Sequence, residues 1–371
     1  MKIALAFSGG GVRATVFHLG VLARLARQNL LGDVETISSV SGGSLAAGLV
    51  FASNGNAWPT NAQYLHHTVP QIHSLLTSCD LQWNYAVNSL LRPWRLLSGR
   101  AAILGDAIER LWCIDGRLAD LPIAPRWIIN ATCYETGKNW RFQRDLMGDY
   151  QTKYITDPDF PLSAALAASA AVPCLVGPLK LKSHKYQWSE YRDNDWQAIP
   201  PKYRRLHLWD GGVYDNLGVE SLFKPGEGLR GDADFLIVSD ASRPLSDDVD
   251  AGSLAPGFVK ASMRLVDVAT DQVRSLRARM LIDYFRQNPG SGAYLRMGRT
   301  TKQSDAYQLA PLTSDQVRQA AMFETTLRRL THSEFSLLFR HGYEIANATL
   351  SSYSTEELQR QPKNQVQFRA A

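Results

Sequence analysis

Apolar and polar positions follow two different periods along this chain, and the order of those periods predicts a fold. Residues 2–8 (KIALAFS) form a short, almost unbroken apolar run, the pattern of a strand buried on both faces. From Val12 to Gln28 the apolar residues Val16, Leu19, Leu22, Ala23 and Leu25 recur at helical spacing. Val34 to Val40 (VETISSV) reads as a second strand and Ser44 to Ala52 as a second helix. Strand–turn–helix, repeated, predicts an α/β fold: a mostly parallel central sheet with helices on its faces. Further along, Trp127 to Cys133, Leu206 to Trp209 and Phe235 to Ser239 read as strands, with Trp140 to Phe142 pairing near the first. Ser163 to Ala171 reads as a small-residue helix stopped by Pro173, and 258–287 as a long amphipathic helix.

Two segments break this rhythm. Residues 54–100 interleave Asn, Pro and the aromatic Trp58, Tyr64, Trp83, Tyr85 and Trp94. They read as an insertion between core units, helical in part: either a lid with an interfacial patch or a helical subdomain with its own aromatic core. Residues 182–205 are charged and aromatic and read as an exposed excursion. The remainder, 250–371, reads as mainly helical. With 371 residues and 45% apolar content, the chain can bury one large core, and 1–371 is read as a single domain.

Composition narrows the class further. The formal charge of +5 is spread along the chain, which suits acidic surfaces including anionic lipid and does not single out nucleic acid as a partner. Cys79, Cys113, Cys133 and Cys174 are scattered, without a CxxC pair or zinc-type His spacing, so free buried thiols in a reducing compartment are expected. The run Ile3 to Phe7 is too short for a signal peptide. The stretch Leu162 to Leu179 is interrupted by Ser163, Ser169, Pro173 and Pro178, and a spanning helix needs roughly 20 strongly apolar residues. A soluble cytoplasmic protein, with at most peripheral membrane contact and no metal, is the expectation.

Three short motifs carry candidate chemistry. Ser41 follows a strand and precedes Gly42, Gly43 and a helix, the setting that exposes a serine hydroxyl on a sharp turn in front of a helix N-terminus. The local pattern is G-x-S-x-G with Ser39 in the first glycine position. Many Ser-Gly-Gly sequences are only turns. Gly9, Gly10 and Gly11 follow the first strand, where successive backbone N–H groups can form an oxyanion hole, with Arg13 adding positive charge. A plain turn competes with that reading. So does dinucleotide binding, because Gly9, Gly11 and Ala14 satisfy G-x-G-x-x-A, although the second strand lacks the terminal acid such a fold uses and has Asp33 and Glu35 at its start. Asp210, before Gly211 and Gly212, ends a strand and is either a site residue at the C-terminal sheet edge or an ordinary turn residue. A Ser–His–Asp esterase would need a histidine. His18 reads as a packed or capping residue, while His332 and His341 lie where an α/β-hydrolase keeps its own.

Together the three motifs resemble the patatin-like phospholipases. GVLARLARQNLL, INATCYETGKNWRF, SAALAASAAVPCLVGPLKL and DGGVYDNLGV are similar to successive segments of that family, and the resemblance runs from about residue 2 to 240. It implies a three-layer fold without cofactor and a Ser41–Asp210 dyad without histidine. It also implies an oxyanion hole from the Gly9–Gly11 loop with Arg13, and Gly42, Gly43, Gly211 and Gly212 as supporting positions. The implied substrate is a phospholipid or lysophospholipid acyl ester. Ser39 departs from the family's motif glycine, which leaves the nucleophile in place and the subfamily open.

Overall fold

The structure, a computed structural model, describes residues 1–91, 99–173, 175–245, 258–301 and 310–352. The chain opens with β1 (Ile3–Phe7), α1 (Gly11–Arg27), β2 (Val34–Val40) and α2 (Gly42–Ala52), the predicted alternation. The 54–100 insertion supplies α3 (Asn61–Gln63), α4 (Val69–Ser78) and α5 (Leu81–Leu91), and α6 (Arg100–Trp112) follows; Trp94 lies outside the described residues. Next come β3 (Arg126–Cys133), β4 (Lys138–Phe142), β5 (Leu146–Asp149), β6 (Lys153–Thr156) and α7 (Leu162–Ser169). Then follow β7 (Leu179–Lys182), β8 (Trp188–Arg192), β9 (Asp195–Ile199), β10 (Arg205–Asp210), α8 (Gly212–Asp215), β11 (Phe223–Lys224), β12 (Gly228–Leu229) and β13 (Phe235–Asp240). The chain continues through α9 (Phe258–Gln287), β14 (Gly292–Arg296), α10 (Ser314–Met322) and α11 (His332–Leu350).

The central sheet runs β14–β13–β1–β2–β3 with every pair parallel. From β3 an antiparallel meander continues through β4, β5, β6, β8 and β9. Successive side chains of a strand point to opposite faces, and β1 divides the core accordingly. Ile3, Leu5 and Phe7 join the apolar cluster built by α1, α2, α6, α7 and α11, while Ala4 and Ala6 join a second cluster with Ala278, Leu281 and Phe285 of α9. Helices therefore cover both faces. On the first face α1 and α11 touch at backbone distance: a Cβ on Gly20 would come 2.0 Å from the Phe339 carbonyl oxygen, and one on Gly342 2.0 Å from that of Phe17.

Three expectations gain detail. Residues 182–205, read as an exposed excursion, carry the β8–β9 hairpin, which pairs with β6 and buries Trp188 and Ser189 while 191–198 stay exposed. Within 250–371, β14 adds a parallel edge strand to β13 beside the helices α9, α10 and α11. Of the cysteines expected buried, Cys133 is, Cys79 is half-buried and Cys113 is exposed; Cys174 lies outside the described residues. In the insertion, Tyr64 is core, its hydroxyl donating to Leu19 O at 2.7 Å, and Trp58 Nε1 donates to Leu31 O, but Trp83 is 71% exposed. No helix among the described residues is long and apolar enough to cross a membrane.

The most consequential difference concerns β10. The sequence places Asp210 at the same edge of the parallel sheet as Ser41, but β10 runs antiparallel to β3. On one side of β3, β2 pairs with Arg126 through Asn130 and β10 pairs with Ala131 through Cys133. The two strands thus approach from opposite directions and end head to head, Val40 opposite Asn130 and Asp210 opposite Ala131.

Candidate active site

Ser41 sits where β2 turns into α2, with φ 49° and ψ −118°. A non-glycine residue there is strained, at a cost of about 1–3 kcal/mol, and persists only where its surroundings over-determine it. The surroundings do so. Ser41 N–H donates to Ser169 Oγ at 3.0 Å, and the Ser169 hydroxyl donates onward to Asn130 O at 2.7 Å. That leaves the Ser44 hydroxyl to donate to Ser169 and the Ser39 hydroxyl to donate to Ser44, both at 2.9 Å, while Trp127 Nε1–H donates to Ser39 at 2.8 Å. One hydrogen per hydroxyl fixes the direction of the whole relay. Ser39, the departure from the glycine motif, is therefore a satisfied member of this buried network. Beyond Ser41, Leu45 N–H bonds back to Ser41 O, which starts α2.

Asp210 is held by different means. Its N–H donates to Ala171 O and the next N–H, of Gly211, to Ser169 O, so the orphan carbonyls at the end of α7 seat this turn. Ser169 thus serves both turns, by its side chain toward Ser41 and by its carbonyl toward Gly211. Thr132 Oγ1 donates to Asp210 O at 2.8 Å. Of the carboxylate oxygens, Oδ1 accepts from Gly212 N–H at 2.7 Å, and Oδ2 is buried without a hydrogen bond. Burial pushes the carboxyl pKa up to about 6, against the opposing effects of Gly212 N–H and the Ser41 hydroxyl beside it.

The glycine loop packs directly on the Ser41 turn. A Cβ on Gly9 would lie 3.1 Å from Ser41 Cβ, and one on Gly42 would lie 2.3 Å from Gly11 O. Thr15 Oγ1 donates to Gly42 O at 2.9 Å, tying α1 to α2. Both helices begin here, α1 at Gly11 and α2 at Gly42, and neither has an acid in its first turn, so two positive helix ends face the same space. Gly9 N–H is committed to Asn216 O at 3.1 Å and Val12 N–H to Thr326 O at 2.9 Å. Between them, the N–H groups of Gly10 and Gly11 bond to no described residue. Gly10 at φ 142° and Gly11 at φ 60° occupy conformations that suit glycine.

Arg13 is buried, and its guanidinium is turned away from the serine. Nε donates to Ala241 O at 3.2 Å and Nη1 to Phe323 O at 2.6 Å and Thr325 Oγ1 at 3.2 Å. It clamps the loop to two distant segments, and burial lowers its pKa to about 10. Gly43 has its Cα against Phe7 O, Gly211 against Asn130 O and Gly212 against Asn216 Oδ1, each too close for a side chain. Residues that sequence reasoning did not single out, namely Ser169, Asn216 and Thr326, hold these pieces in register. Asn216 and Ser169 stood inside two family-like segments, whereas nothing in the local sequence marked Thr326.

The histidines lie elsewhere. His18 is buried between Ser239 Oγ at 2.8 Å and Ser8 O at 2.9 Å, stacked on Phe7, with its pKa lowered to about 4 by burial. His341 accepts from Gly298 N–H at 3.0 Å, and His332 pairs with His73. The G-x-G-x-x-A loop is closed on one side by Ser41–Gly42 and on the other by Thr326, whose carbonyl oxygen lies 2.5 Å from where a Gly11 Cβ would be.

The fold is that of the cytosolic phospholipases A2. Human GIVD cytosolic phospholipase A2 superposes with a TM-score of 0.57 at 13% identity, over 98% of this chain and 63% of that one. Its complex with methyl gamma-linolenyl fluorophosphonate gives a TM-score of 0.56. Residues 5–223 match the patatin-like phospholipase family model, and the chain belongs to that family. Patatin-like phospholipase domain-containing proteins of Pyricularia oryzae and Chaetomium globosum are 27% and 26% identical over 241 residues, 64% of this chain. The chain spans about a quarter of the length of these relatives, 26% and 24% respectively.

Proposed function

We propose that this chain is a serine acyl hydrolase that cleaves fatty-acyl esters of phospholipids or lysophospholipids, with Ser41 as nucleophile and Asp210 as its base. The observation that carries the reading is the pairing of a strained, buried serine with a buried carboxylate whose Oδ2 has no hydrogen bond among the described residues, beside two N–H groups that likewise bond to no described residue. Family membership supports a lipid substrate.

In this mechanism Asp210 takes the Ser41 proton as Oγ attacks the ester carbonyl carbon. The carbonyl oxygen becomes an oxyanion and is met by Gly10 and Gly11 N–H, with the α2 N-terminus behind. Collapse breaks the bond to the alcohol, which leaves with the proton from Asp210. Water then attacks the acyl-enzyme with Asp210 again as base, releasing the fatty acid and restoring Ser41. A base with a pKa near 6 is deprotonated at neutral pH yet still basic enough to share the proton. Arg13 acts here as a positioning residue, since its guanidinium is spent on main-chain carbonyls. In this reading the chain meets lipid at a membrane surface; no helix among its described residues is long and apolar enough to cross one.

The test is covalent. A long-chain fluorophosphonate is expected to label the folded protein at Ser41, mapped by peptide mass spectrometry, and to abolish hydrolysis of phospholipid vesicles. Labelling of another serine, or none in a sample that hydrolyses ester, overturns the assignment.

A further inference from the structure

A large cavity lies away from Ser41. About 1200 Å³ opens between α9, β14 and the end of α11, above the upper end of the roughly 300–1,000 Å³ common for small-molecule sites. Among the described residues its walls carry four arginines, Arg274, Arg279, Arg296 and Arg299, with hydroxyls from Thr300 and Thr301, and no Asp or Glu. The arginines are of two kinds. Arg274 is buried and compensated, its guanidinium donating to Asp240 Oδ2 at 3.0 Å and to Asp271 Oδ1 at 2.6 Å. Arg279, Arg296 and Arg299 are exposed at the mouth and pair with no carboxylate among the described residues. Uncompensated guanidinium groups gathered over one concave surface form a field that draws multiply charged anions, and their planar forks match phosphate oxygens. The apolar floor, including Ala278 and Ile345, gives an organic body something to rest on.

The same wall is wired to the glycine loop. Tyr294, which lines the cavity, donates its hydroxyl to Asp240 Oδ2, the oxygen that also takes Arg274. Asp240 Oδ1 accepts from Ser242 N–H at 2.9 Å, and Ser242 Oγ accepts from Asn216 Nδ2 at 2.9 Å. Asn216 O holds Gly9 N–H. One residue on, Ala241 O takes Arg13 Nε and Ala241 N–H donates to Ser8 Oγ. An anion that draws on Arg274 competes with Asp240, and Asp240 positions the segment on which Gly9 and Arg13 both rest.

We propose that this cavity is a regulatory site for a multiply phosphorylated ligand, coupled to the glycine loop through Asp240, Ser242 and Asn216. The phosphates would come from a soluble metabolite or from a lipid headgroup, and the experiment separates the two. Isothermal titration with inositol hexakisphosphate and with ATP probes the soluble source. Flotation with phosphatidylcholine vesicles, with and without phosphatidylinositol bisphosphate, probes the lipid one. Saturable binding of a soluble probe, or flotation only with the phosphoinositide, is expected. Either is to weaken at least tenfold in the Arg296→Glu/Arg299→Glu variant and by less than twofold in a charge-matched Arg110→Glu/Arg318→Glu control. Both pairs are exposed, so folding is preserved. Amide exchange at Gly9–Val12 is expected to change at least threefold on binding. No binding in either arm, equal loss in both variants, or binding with unchanged loop exchange overturns the proposal. None of these readouts uses hydrolysis, so they stand apart from the acyl-hydrolase reading.

Discussion

The turns at Ser41 and Asp210 look alike in sequence, each a strand end followed by two glycines, yet they hold their side chains by opposite means. At Ser41 the strain is in the backbone, at φ 49°, and an 11-residue helix follows. At Asp210 the backbone is relaxed, with Gly211 at φ −62° and ψ −24°, and only a four-residue helix follows. Here the cost lies in charge: a carboxyl buried deeply enough to raise its pKa to about 6, with one oxygen unsatisfied. In the proposed mechanism one turn spends conformational energy to aim the nucleophile's oxygen, and the other spends solvation energy to make a base. Ser169 joins them, so the two costs are borne by one hydrogen-bonded unit.

The comparison can be broken most sharply at its two centres. Ser41→Ala and Asp210→Asn are each expected to lower kcat by roughly 10⁴–10⁶-fold, and the double variant by no more than the worse single, because the two act as a unit. Full additivity in steady-state kinetics would mean that they act independently. Next come the glycines. Gly42→Ala pushes a methyl to 2.3 Å from Gly11 O and should displace the proposed oxyanion donors, costing about 10²–10³ in kcat. Gly211→Ala meets Asn130 O at 2.5 Å on the base side, so it should shift the acid limb of the pH profile as well as the rate.

That pH profile carries the third expectation: kcat/KM should fall tenfold per pH unit below about 6 as Asp210 takes up its proton. The linkage sign is the reverse of an ordinary ion-paired aspartate. The folded carboxyl keeps its proton up to about pH 6 and the unfolded one only to about 3.9. The folded state therefore binds more protons in that window, and stability falls as pH rises through it. Asp210→Asn should gain up to about 3 kcal/mol over wild type at pH 8 in urea denaturation, and nothing at pH 3. The smallest effect is expected at Ser39→Gly. It orphans Trp127 Nε1 and costs about 1–3 kcal/mol of stability while kcat stays within a few-fold.

Much of the frame was legible along the chain. The opening β1–α1–β2–α2 alternation, the helix over 258–287 and the glycine-flanked Ser41 follow from local periodicity and turn chemistry, which act over a few residues. The direction of β10 did not, because Leu206 to Trp209 has the same apolar pattern whichever way it runs along β3. The hairpin at 188–199 was hidden by its charges, which sit on an exposed sheet edge where they are cheap. The hold of Thr326 on Val12, across more than three hundred residues, leaves no periodic trace at all.

The sequence by itself determined which residues could do chemistry: a serine and an aspartate each before paired glycines, and a glycine run free of side chains. These are properties of side-chain type and of backbone freedom, fixed residue by residue. Only the tertiary structure decided that Ser41 and Asp210 meet. Two strands had to end against each other on β3, and α7 had to offer both a hydroxyl and its last carbonyls at the junction. It also decided that Arg13 is a clamp and that Gly9 N–H is engaged while those of Gly10 and Gly11 meet no described residue. Hydrogen-bond partners and desolvation are set by what packs alongside, and no single stretch of chain contains that information.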